Sequence, residues 1–342
     1  MTVNVLEDRL ISIDNARKGR RGQEGISVVR NLYRACKILI KDCAHVRKGE
    51  EVLVLADEAQ DKALILGIAT AVSRAGARAI SMIYPPIAPY REPPDAVAQA
   101  MKKVPVVLAC GTTPIAAEVI KESLESGARI LSMFRITPDS FARTVPIDYR
   151  TLKREMTKIK KILDASRIVA ISSPGGTQLR VQMAGRPTKL ALGSVRKAGE
   201  VDHIAAGAIG VAPLEGSAEG RIVVDGTLLG FGRARDPVAF EIQAGKIMKI
   251  KGGQKWKGLR ELLCRDEYAP WVCEIGLGVN PKARLVGGPE DERVRGSVHV
   301  GFGENRFFEG TIASASHMDG TMLHATLKVD GEELVKDGRL LM

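Results

Sequence analysis

Residues 49–86 have the sequence GEEVLVLADEAQDKALILGIATAVSRAGARAISMIYPP. The segment begins with a valine-rich apolar run, continues with apolar residues at helical spacing, and ends in a second apolar run, ARAISMIY. A strand, a helix and a second strand in this order form a βαβ unit, in which the helix connects two parallel strands. The segment therefore predicts a parallel sheet covered by helices.

The same order recurs in residues 104–134, VPVVLACGTTPIAAEVIKESLESGARILSMF. Thr113 is placed to cap a helix that begins at Pro114, and Gly127 is placed to end it before the next strand. Two successive units of this kind predict an α/β sandwich with a mostly parallel sheet for residues 1–195.

The pattern changes in the second half of the chain. A charged helix is predicted near residues 148–167, followed by two strands that a Pro-Gly-Gly turn separates. After about residue 195 glycines become frequent and short strands dominate, with one helix predicted in residues 254–270 and ended by Pro270. We expect a second domain over residues 196–342, β-rich and of α+β type, which makes the whole chain α/β.

Composition limits the class of protein. The 342 residues are 45% hydrophobic and 27% charged, which is ordinary for a globular protein, and the formal net charge is +11. The five cysteines contain no C-x-x-C pair, the N-terminus does not resemble a signal peptide, and no apolar run is long enough to cross a membrane. We expect a cytoplasmic protein. The basic run RKGRR at residues 17–21 lacks interleaved aromatic residues, so nucleic acid is not an expected partner.

Carboxylates and imidazoles cluster in short phrases of the second half. His317 and Asp319 are two residues apart in SASHMDGTMLHATLKVDG (314–331), and on a strand such side chains share one face about 7 Å apart. Glu274 lies within an apolar strand, where an unpaired carboxylate would cost several kcal/mol if buried. Together with His299, these residues supply the oxygen and nitrogen donors that divalent metals prefer. The sequence therefore predicts metal ligands at Glu274, His299, His317 and Asp319.

Several common sites are excluded by their motifs. The glycines of GLGVNP and GFGENRFFEG do not follow the dinucleotide-binding pattern, and no P-loop motif occurs. Neither the G-x-S-x-G motif of many serine hydrolases nor the H-E-x-x-H motif of zinc proteases is present.

The C-terminal phrases PLEGSAEGRIVVDG, CEIGLGVNP, GSVHVGFGEN and SHMDGT occur in this order. Together they resemble the aminopeptidase T family of metallopeptidases. The resemblance implies two domains, a homodimer, and two divalent cations in the C-terminal domain. It places ligands at Glu274, His299, His317 and Asp319, an upstream carboxylate at Glu215, and a further acid at Glu292 or Asp291. Where those peptidases have a tyrosine, this chain has Arg306.

The chain is also similar, more distantly, to the 2,5-dihydroxypyridine dioxygenases. These enzymes open an aromatic ring with one Fe(II) held by two histidines and an aspartate. Their second histidine and their aspartate would fall on His317 and Asp319, and their first histidine would fall on Glu274. The set His299, His317 and Asp319 still contains two histidines and one carboxylate.

The leading expectation from these features is a metal-dependent hydrolase that cleaves a peptide or amide bond with metal-activated water. Glu215 or Glu219 would be the general base, and the cofactor would be Zn, Co or Mn. The first alternative is a ring-cleaving dioxygenase with one Fe(II), and the second is a basic binding protein without catalysis. The expected partners are a small-molecule or peptide substrate and a second copy of the chain, with no membrane.

Overall fold

A computed structural model describes residues 22–88, 91–254 and 256–342, with side chains from residue 30 onward. The basic run at residues 17–21 lies outside the described residues. Contacts divide the chain into two compact units. Unit 1 contains the residues up to Pro146 together with Gly193–Ala205, and unit 2 contains Ile147–Leu192 and Ala206–Met342.

Unit 1 is built on a five-stranded parallel sheet. Its strands are β1 (Glu51–Asp57), β2 (Arg78–Tyr84), β3 (Val106–Ala109), β4 (Arg129–Ser132) and β8 (Val201–His203). They lie in the order β2-β1-β3-β4-β8, and every neighbouring pair is parallel. The helices of this unit are α1 (Gly22–Ile38), α2 (Lys62–Arg74), α3 (Asp95–Lys103), α4 (Ala117–Glu125) and α5 (Pro138–Thr144). The parallel sheet predicted from residues 49–86 and 104–134 is thus confirmed.

The predicted start of α4 is wrong by three residues. The helix begins at Ala117 rather than Pro114, and Thr113 does not cap it. The turn is instead hydrogen-bonded to the sheet. Thr112 donates from its backbone N (2.5 Å) and its hydroxyl (2.8 Å) to the carboxylate of Asp57 at the end of β1. These bonds fix the turn after β3 to the end of β1.

Unit 2 contains α6 (Tyr149–Asp164), which Asp148 caps by accepting hydrogen bonds from Arg150 N and Thr151 N. It also contains two large sheets. The eight-stranded sheet has the order β14-β13-β10-β6-β5-β18-β19-β20. Its strands are β5 (Ile168–Ser172), β6 (Gln178–Gln182), β10 (Glu219–Val224), β13 (Val238–Gln243), β14 (Lys246–Gly252), β18 (Thr326–Val329), β19 (Glu332–Lys336) and β20 (Arg339–Leu340).

The seven-stranded sheet of unit 2 has the order β12-β11-β17-β16-β15-β9-β7. Its strands are β7 (Lys189–Ala191), β9 (Ala208–Val211), β11 (Thr227–Leu228), β12 (Gly232–Arg233), β15 (Val272–Gly278), β16 (Val298–Gly303) and β17 (His317–Met322). One apolar core joins side chains from both sheets and from α6. Phe240 on β13 meets Phe302 on β16 edge to face, with ring centroids 5.2 Å apart.

The helix predicted in residues 254–270 is much shorter than expected. Only α7 (Leu259–Leu263) is helical, so Pro270 does not end it. The chain turns earlier because the carboxylate of Asp266 accepts hydrogen bonds from the backbone N of Tyr268 and of Ala269, both at 2.9 Å. Local side-chain bonds of this kind compete with continuation of a helix.

The contacts group residues 147–192 differently from the expected division after residue 195. Hydrogen bonds of the strands explain the difference, because β5 pairs with β18 and β6 pairs with β10, both in unit 2. The predicted fold class, an α/β part with a parallel sheet followed by a β-rich part, is confirmed. In the part of the chain that the structure describes, no helix is long and apolar enough to cross a bilayer.

Candidate metal centre

Three neighbouring strands of the seven-stranded sheet bring the candidate ligands together by their register. Glu274 on β15 lies opposite Gly301 on β16, and Gly301 lies opposite Asp319 on β17. Both carboxylates therefore project from one row of the sheet, with a glycine between them. A Cβ at Gly301 would lie 2.8 Å from the Cβ of Glu274 and 2.9 Å from Oδ1 of Asp319, so the site needs a glycine there.

The two histidines complete the group from the same face. His317 Nε2 lies 3.2 Å from Oε2 of Glu274 and 3.2 Å from Oδ1 of Asp319. One ligand atom from each of these three residues lies within 4.8 Å of the other two, the spacing needed to hold one ion. His299 Nε2 lies 3.4 Å from Oε1 of Glu274. Glu274, His317 and Asp319 therefore face one another, and His299 lies beside Glu274.

Two more glycines make room for these side chains. Gly276 lies opposite His299 in the register, and a Cβ at Gly276 would overlap the imidazole. Gly210 on β9 lies opposite Gly276, and a Cβ there would overlap both Oε1 of Glu274 and the ring of Phe308. Glycines at these strand positions thus leave the space that the side chains of Glu274, His299 and Phe308 occupy.

His317 is oriented by the chain segment that precedes its strand. Its Nδ1 lies 2.8 Å from the carbonyl oxygen of Glu304, which only accepts, so Nδ1 donates and Nε2 points toward the carboxylates. Cys273 Sγ lies 3.6 Å from the same Nδ1. Burial raises the pKa of the Cys273 thiol to about 11, so this sulfur stays protonated beside the centre.

The centre concentrates negative charge in a buried place. Asp319 is 5% exposed, Glu274 6% and His299 2%. Burial opposes the charge of His317, yet the carboxylate of Asp319 raises its pKa well above the usual value, and the pKa of Asp319 is correspondingly lowered against its own burial. Burial also raises the pKa of the nearby Glu292 to about 7, although Arg293 opposes this rise. Such a group of acids is stable only when cationic charge lies among them.

Two buried atoms of the centre lack hydrogen-bond partners. Among the described side chains, Oδ1 of Asp319 and Nδ1 of His299 are both buried and make no hydrogen bond, although Oδ1 lies at ion-pair distance from His317. A divalent cation would satisfy this carboxylate and would be held by carboxylate oxygens and imidazole nitrogens, the donor types that Mn, Fe and Zn accept. The residues present therefore fit a divalent metal ion.

Glu215 and Glu219, the predicted general bases, are not members of this cluster. Glu215 forms a close ion pair with Arg186 and accepts hydrogen bonds from Asn305 Nδ2 (3.0 Å) and Thr311 N (2.9 Å). Glu219 is exposed at the start of β10, where it accepts a hydrogen bond from Ala244 N at 2.7 Å.

The other residues that the resemblance pointed to lie around the cluster or outside it. Asp291 is fully buried and accepts hydrogen bonds from Thr227 and from the backbone N of Val286. Glu292 forms a close ion pair with Arg293. Arg306 is largely exposed and pairs with Glu304 at 2.7 Å.

Sequence reasoning missed the residues that enclose the centre. Phe308 is buried, and its ring centroid lies 6.3 Å from that of His317. Cys273 and Asn305 were also missed. Cys273 lies on β15 next to Glu274, whereas Asn305 and Phe308 lie in residues 304–316 between β16 and β17, a segment that carries no recognisable motif. The one local signal was the polar and aromatic phrase ENRFFEG directly after a buried strand.

Comparisons with known proteins point to a family of dioxygenases. A family model described as NicX, 2,5-dihydroxypyridine 5,6-dioxygenase, matches residues 31–342. The 2,5-dihydroxypyridine 5,6-dioxygenase of Pseudomonas putida is 28% identical over 169 residues, which are 48% of this chain and 47% of that protein. The match therefore spans about half the length of this relative.

Two solved structures share the fold over nearly the whole chain. The 2,5-dihydroxypyridine dioxygenase from Pseudomonas putida KT2440 has a TM-score of 0.77 and 22% identity, and the match covers 91% of this chain and 96% of that one. AmpT from Thermus thermophilus has a TM-score of 0.66 and 18% identity, with coverage of 92% and 99%. At these identities the two structures show the fold alone.

The expectation of a metal-dependent hydrolase, described above as a metallopeptidase of aminopeptidase type, is wrong. The family match over residues 31–342 is to a dioxygenase. The general base predicted at Glu215 or Glu219 belonged to the hydrolysis reaction, and it is withdrawn with that reaction. The error arose because carboxylate and imidazole donors serve hydrolysis and oxygen chemistry equally well, so the ligand phrases did not separate the two. The chain belongs to the family described as NicX, 2,5-dihydroxypyridine 5,6-dioxygenase.

Proposed function

We propose that this protein is a metal-dependent dioxygenase that opens the ring of a dihydroxylated pyridine. The observation that carries the proposal is the convergence of Glu274, His317 and Asp319 on one point of a buried sheet, in a chain that matches the dioxygenase family over residues 31–342. Since the fold alone does not define a reaction, the proposal rests on this site together with the family.

Fe(II) is the proposed metal, with Glu274, His317 and Asp319 as ligands and His299 as a fourth donor. Glu274 stands where the dioxygenases that the chain resembles would have their first histidine, so His299 would supply the second imidazole. Its Nε2 reaches Oε1 of Glu274 at 3.4 Å, which keeps it beside the other donors. A bound Fe(II) would supply the one-electron chemistry with dioxygen that amino-acid side chains lack.

The residues of the chain would hold and enclose the reacting groups. The hydrogen bond from Nδ1 to the Glu304 carbonyl fixes the imidazole of His317, so that Nε2 keeps its direction during turnover. Phe308 and the protonated thiol of Cys273 place apolar surface next to the donors. This surface excludes water and favours an aromatic substrate over a peptide.

Dioxygen uptake on protein purified without chelators tests the proposal. Protein loaded anaerobically with Fe(II) should consume about one dioxygen for each 2,5-dihydroxypyridine, with loss of the ring's ultraviolet absorbance. Asp319→Asn should abolish both signals, whereas Glu241→Gln, which removes an exposed partner of Lys251 on another sheet, should retain them. Iron-loaded wild-type protein that consumes no dioxygen with any dihydroxypyridine would refute the proposal.

A further inference from the structure

We infer that Glu215 is a positioning residue and that Phe308, which it holds in place, is the wall that receives the substrate ring. This inference rests on the proposed function and deepens it, because it assigns the aromatic specificity of the site to a particular side chain. It also gives Glu215 a role different from proton transfer and from metal binding.

The carboxylate of Glu215 is fully engaged by three partners. Arg186 forms a close ion pair with it, while Asn305 Nδ2 and Thr311 N donate hydrogen bonds of 3.0 Å and 2.9 Å. Burial favours the neutral acid, but the bond from Thr311, the bond from Asn305 and the charge of Arg186 together hold the pKa of Glu215 below its usual value. A carboxylate whose lone pairs are used in this way is a poor proton acceptor and a good anchor.

The two hydrogen-bonded partners belong to one loop, residues 304–316, which we call the 304–316 loop. Asn305 is fully buried, and its side-chain carbonyl accepts from Ile312 N at 2.7 Å. Its backbone carbonyl accepts from Phe308 N (2.9 Å) and Gly310 N (3.0 Å). A Cβ at Gly310 would overlap the Asn305 side chain, so the turn closes tightly around this amide. Glu215 therefore fixes the loop through Asn305, which makes the hydrogen bonds that close the turn.

A second contact ties the same turn to Arg186. Its Nη1 donates to the carbonyl oxygen of Glu309 at 3.3 Å, while the other end of the guanidinium pairs with Glu215. Lys189 pairs with the side chain of Glu309. The turn that carries Phe308 is thus held on both sides by charged groups from outside the loop.

Phe308 is the residue that this arrangement directs at the metal centre. Its ring lies against Gly210, on the side where Oε1 of Glu274 also approaches that glycine, and it is tilted 31° from the imidazole of His317. Phe307 packs on it edge to face at 5.1 Å and is itself 54% exposed. A planar ring that binds beside His317 therefore meets an aromatic wall, whereas an extended peptide would gain little from it.

Anaerobic titration of 2,5-dihydroxypyridine into Co(II)-loaded protein tests the inference without turnover. For Phe308→Ala, we expect the Kd for 2,5-dihydroxypyridine to rise about 10-fold, the factor that about 1.4 kcal/mol of lost ring contact produces, with the Kd for Co(II) unchanged within about 2-fold. Glu215→Gln should raise the ring's Kd by about 3- to 10-fold, again without loss of metal. The double variant should resemble Phe308→Ala, because both changes act through one ring.

Amide hydrogen exchange of the metal-free protein is a second test of the inference. In Glu215→Gln the amides of residues 305–311 should exchange about 10-fold faster, while Glu241→Gln, the surface carboxylate control, should leave them unchanged. Unchanged exchange, loss of Co(II) from Glu215→Gln, or multiplied effects in the double variant would each overturn the inference. If the ring binds wild-type and variants equally, the inference fails and the proposed function stands. If the variants bind 2,5-dihydroxypyridine more weakly but wild-type protein consumes no dioxygen, the contact of Phe308 with the ring is supported, whereas the proposed function and the substrate role of that ring both fail.

Discussion

Glu274 shows how one residue can point to a site. All seven residues of its strand are buried, and a carboxylate in such a strand must find cationic charge or remain a large cost to stability. In this chain it faces two imidazoles and lies opposite a glycine. A buried acid in an apolar strand therefore points to a partner of opposite charge, which here includes the imidazoles of His299 and His317.

Replacing His317 tests the ligand set at the residue scale. In His317→Ala the bound metal should fall from about one ion per chain to below about 0.1, because the replaced Nε2 lies between both carboxylates. His299→Ala should weaken metal binding less, since among the described candidate ligands His299 lies at ion-pair distance from Glu274 only. Atomic absorption on dialysed protein measures both effects, and far-ultraviolet circular dichroism checks the fold. A His317→Ala protein that keeps its metal would contradict the ligand assignment.

Gly276 offers a test by steric exclusion. An alanine there would overlap the imidazole of His299, so Gly276→Ala should destabilise the protein by about 2 kcal/mol and lower metal affinity. Gly288→Ala is the matched control, because nothing lies within 4 Å of the added methyl group and the glycine has no unusual φ. Urea unfolding of both variants gives the comparison. Equal stability of the two would mean that His299 does not occupy the position described.

The candidate ligands could be named from the sequence, but their surroundings could not. His317 and Asp319 were predictable because a strand places residues i and i+2 on one face, and both stayed in register with β16. The contacts of Glu215 were not predictable from the sequence. Arg186 lies 29 positions from Glu215 along the chain, and Asn305 lies 90 positions from it. Pairings of that length depend on the completed fold and leave no local pattern.

Among the elements, the strands were predicted better than the helices. The second half was expected to be rich in short strands with frequent glycines, and unit 2 does contain two large sheets of short strands. The start of α4 and the end of α7 were predicted wrongly. Near each of them a carboxylate, Asp57 or Asp266, accepts hydrogen bonds from backbone N–H groups. Capping residues indicate only a tendency to begin or end a helix, and side-chain hydrogen bonds, whether local as at Asp266 or long-range as at Asp57, can override it.

The 304–316 loop should lose its attachment in acid. Asp266 accepts from Ala315 N (2.8 Å) and from the Ser314 hydroxyl, and although burial favours its neutral form, these bonds hold its pKa below the usual value. Because the folded pKa is lower than the unfolded one, the stabilisation is complete above the unfolded pKa, about 3.9, and is lost as pH falls through the lower folded value.

Urea unfolding at several pH values measures this contribution. The difference in unfolding free energy between wild-type protein and Asp266→Asn should be constant above about pH 5 and should shrink below about pH 4. A difference that grew as the pH fell would have the wrong sign and would exclude a depressed carboxylate as its source.

At the scale of the whole molecule, the candidate ligands all belong to unit 2. The donors come from β15, β16 and β17, and the residues that enclose them come from the 304–316 loop and from β9. Unit 1, with its parallel sheet, contributes none of these residues. Metal binding is therefore expected to act on one of the two units.

Hydrogen exchange with and without metal tests this division. At a free metal concentration 100 times the Kd, binding should stabilise the metal-bound state by about 2.7 kcal/mol. Amides of β15–β17 that exchange by unfolding of unit 2 should slow by a factor of about 100, whereas those of β1–β4 should change much less. Uniform protection of both units would show that they unfold together, and protection of unit 1 alone would contradict the position of the centre.

One measurement bears most directly on the central claim that this cluster holds a metal for ring opening. Wild-type protein and Asp319→Asn would each be loaded anaerobically with Fe(II), desalted, assayed for iron, and then mixed with 2,5-dihydroxypyridine in an oxygen electrode. We predict about one iron per wild-type chain with rapid dioxygen uptake, and neither iron nor uptake for Asp319→Asn. Equal iron and equal uptake in the two proteins, or full iron in the wild type with no uptake, would contradict the account.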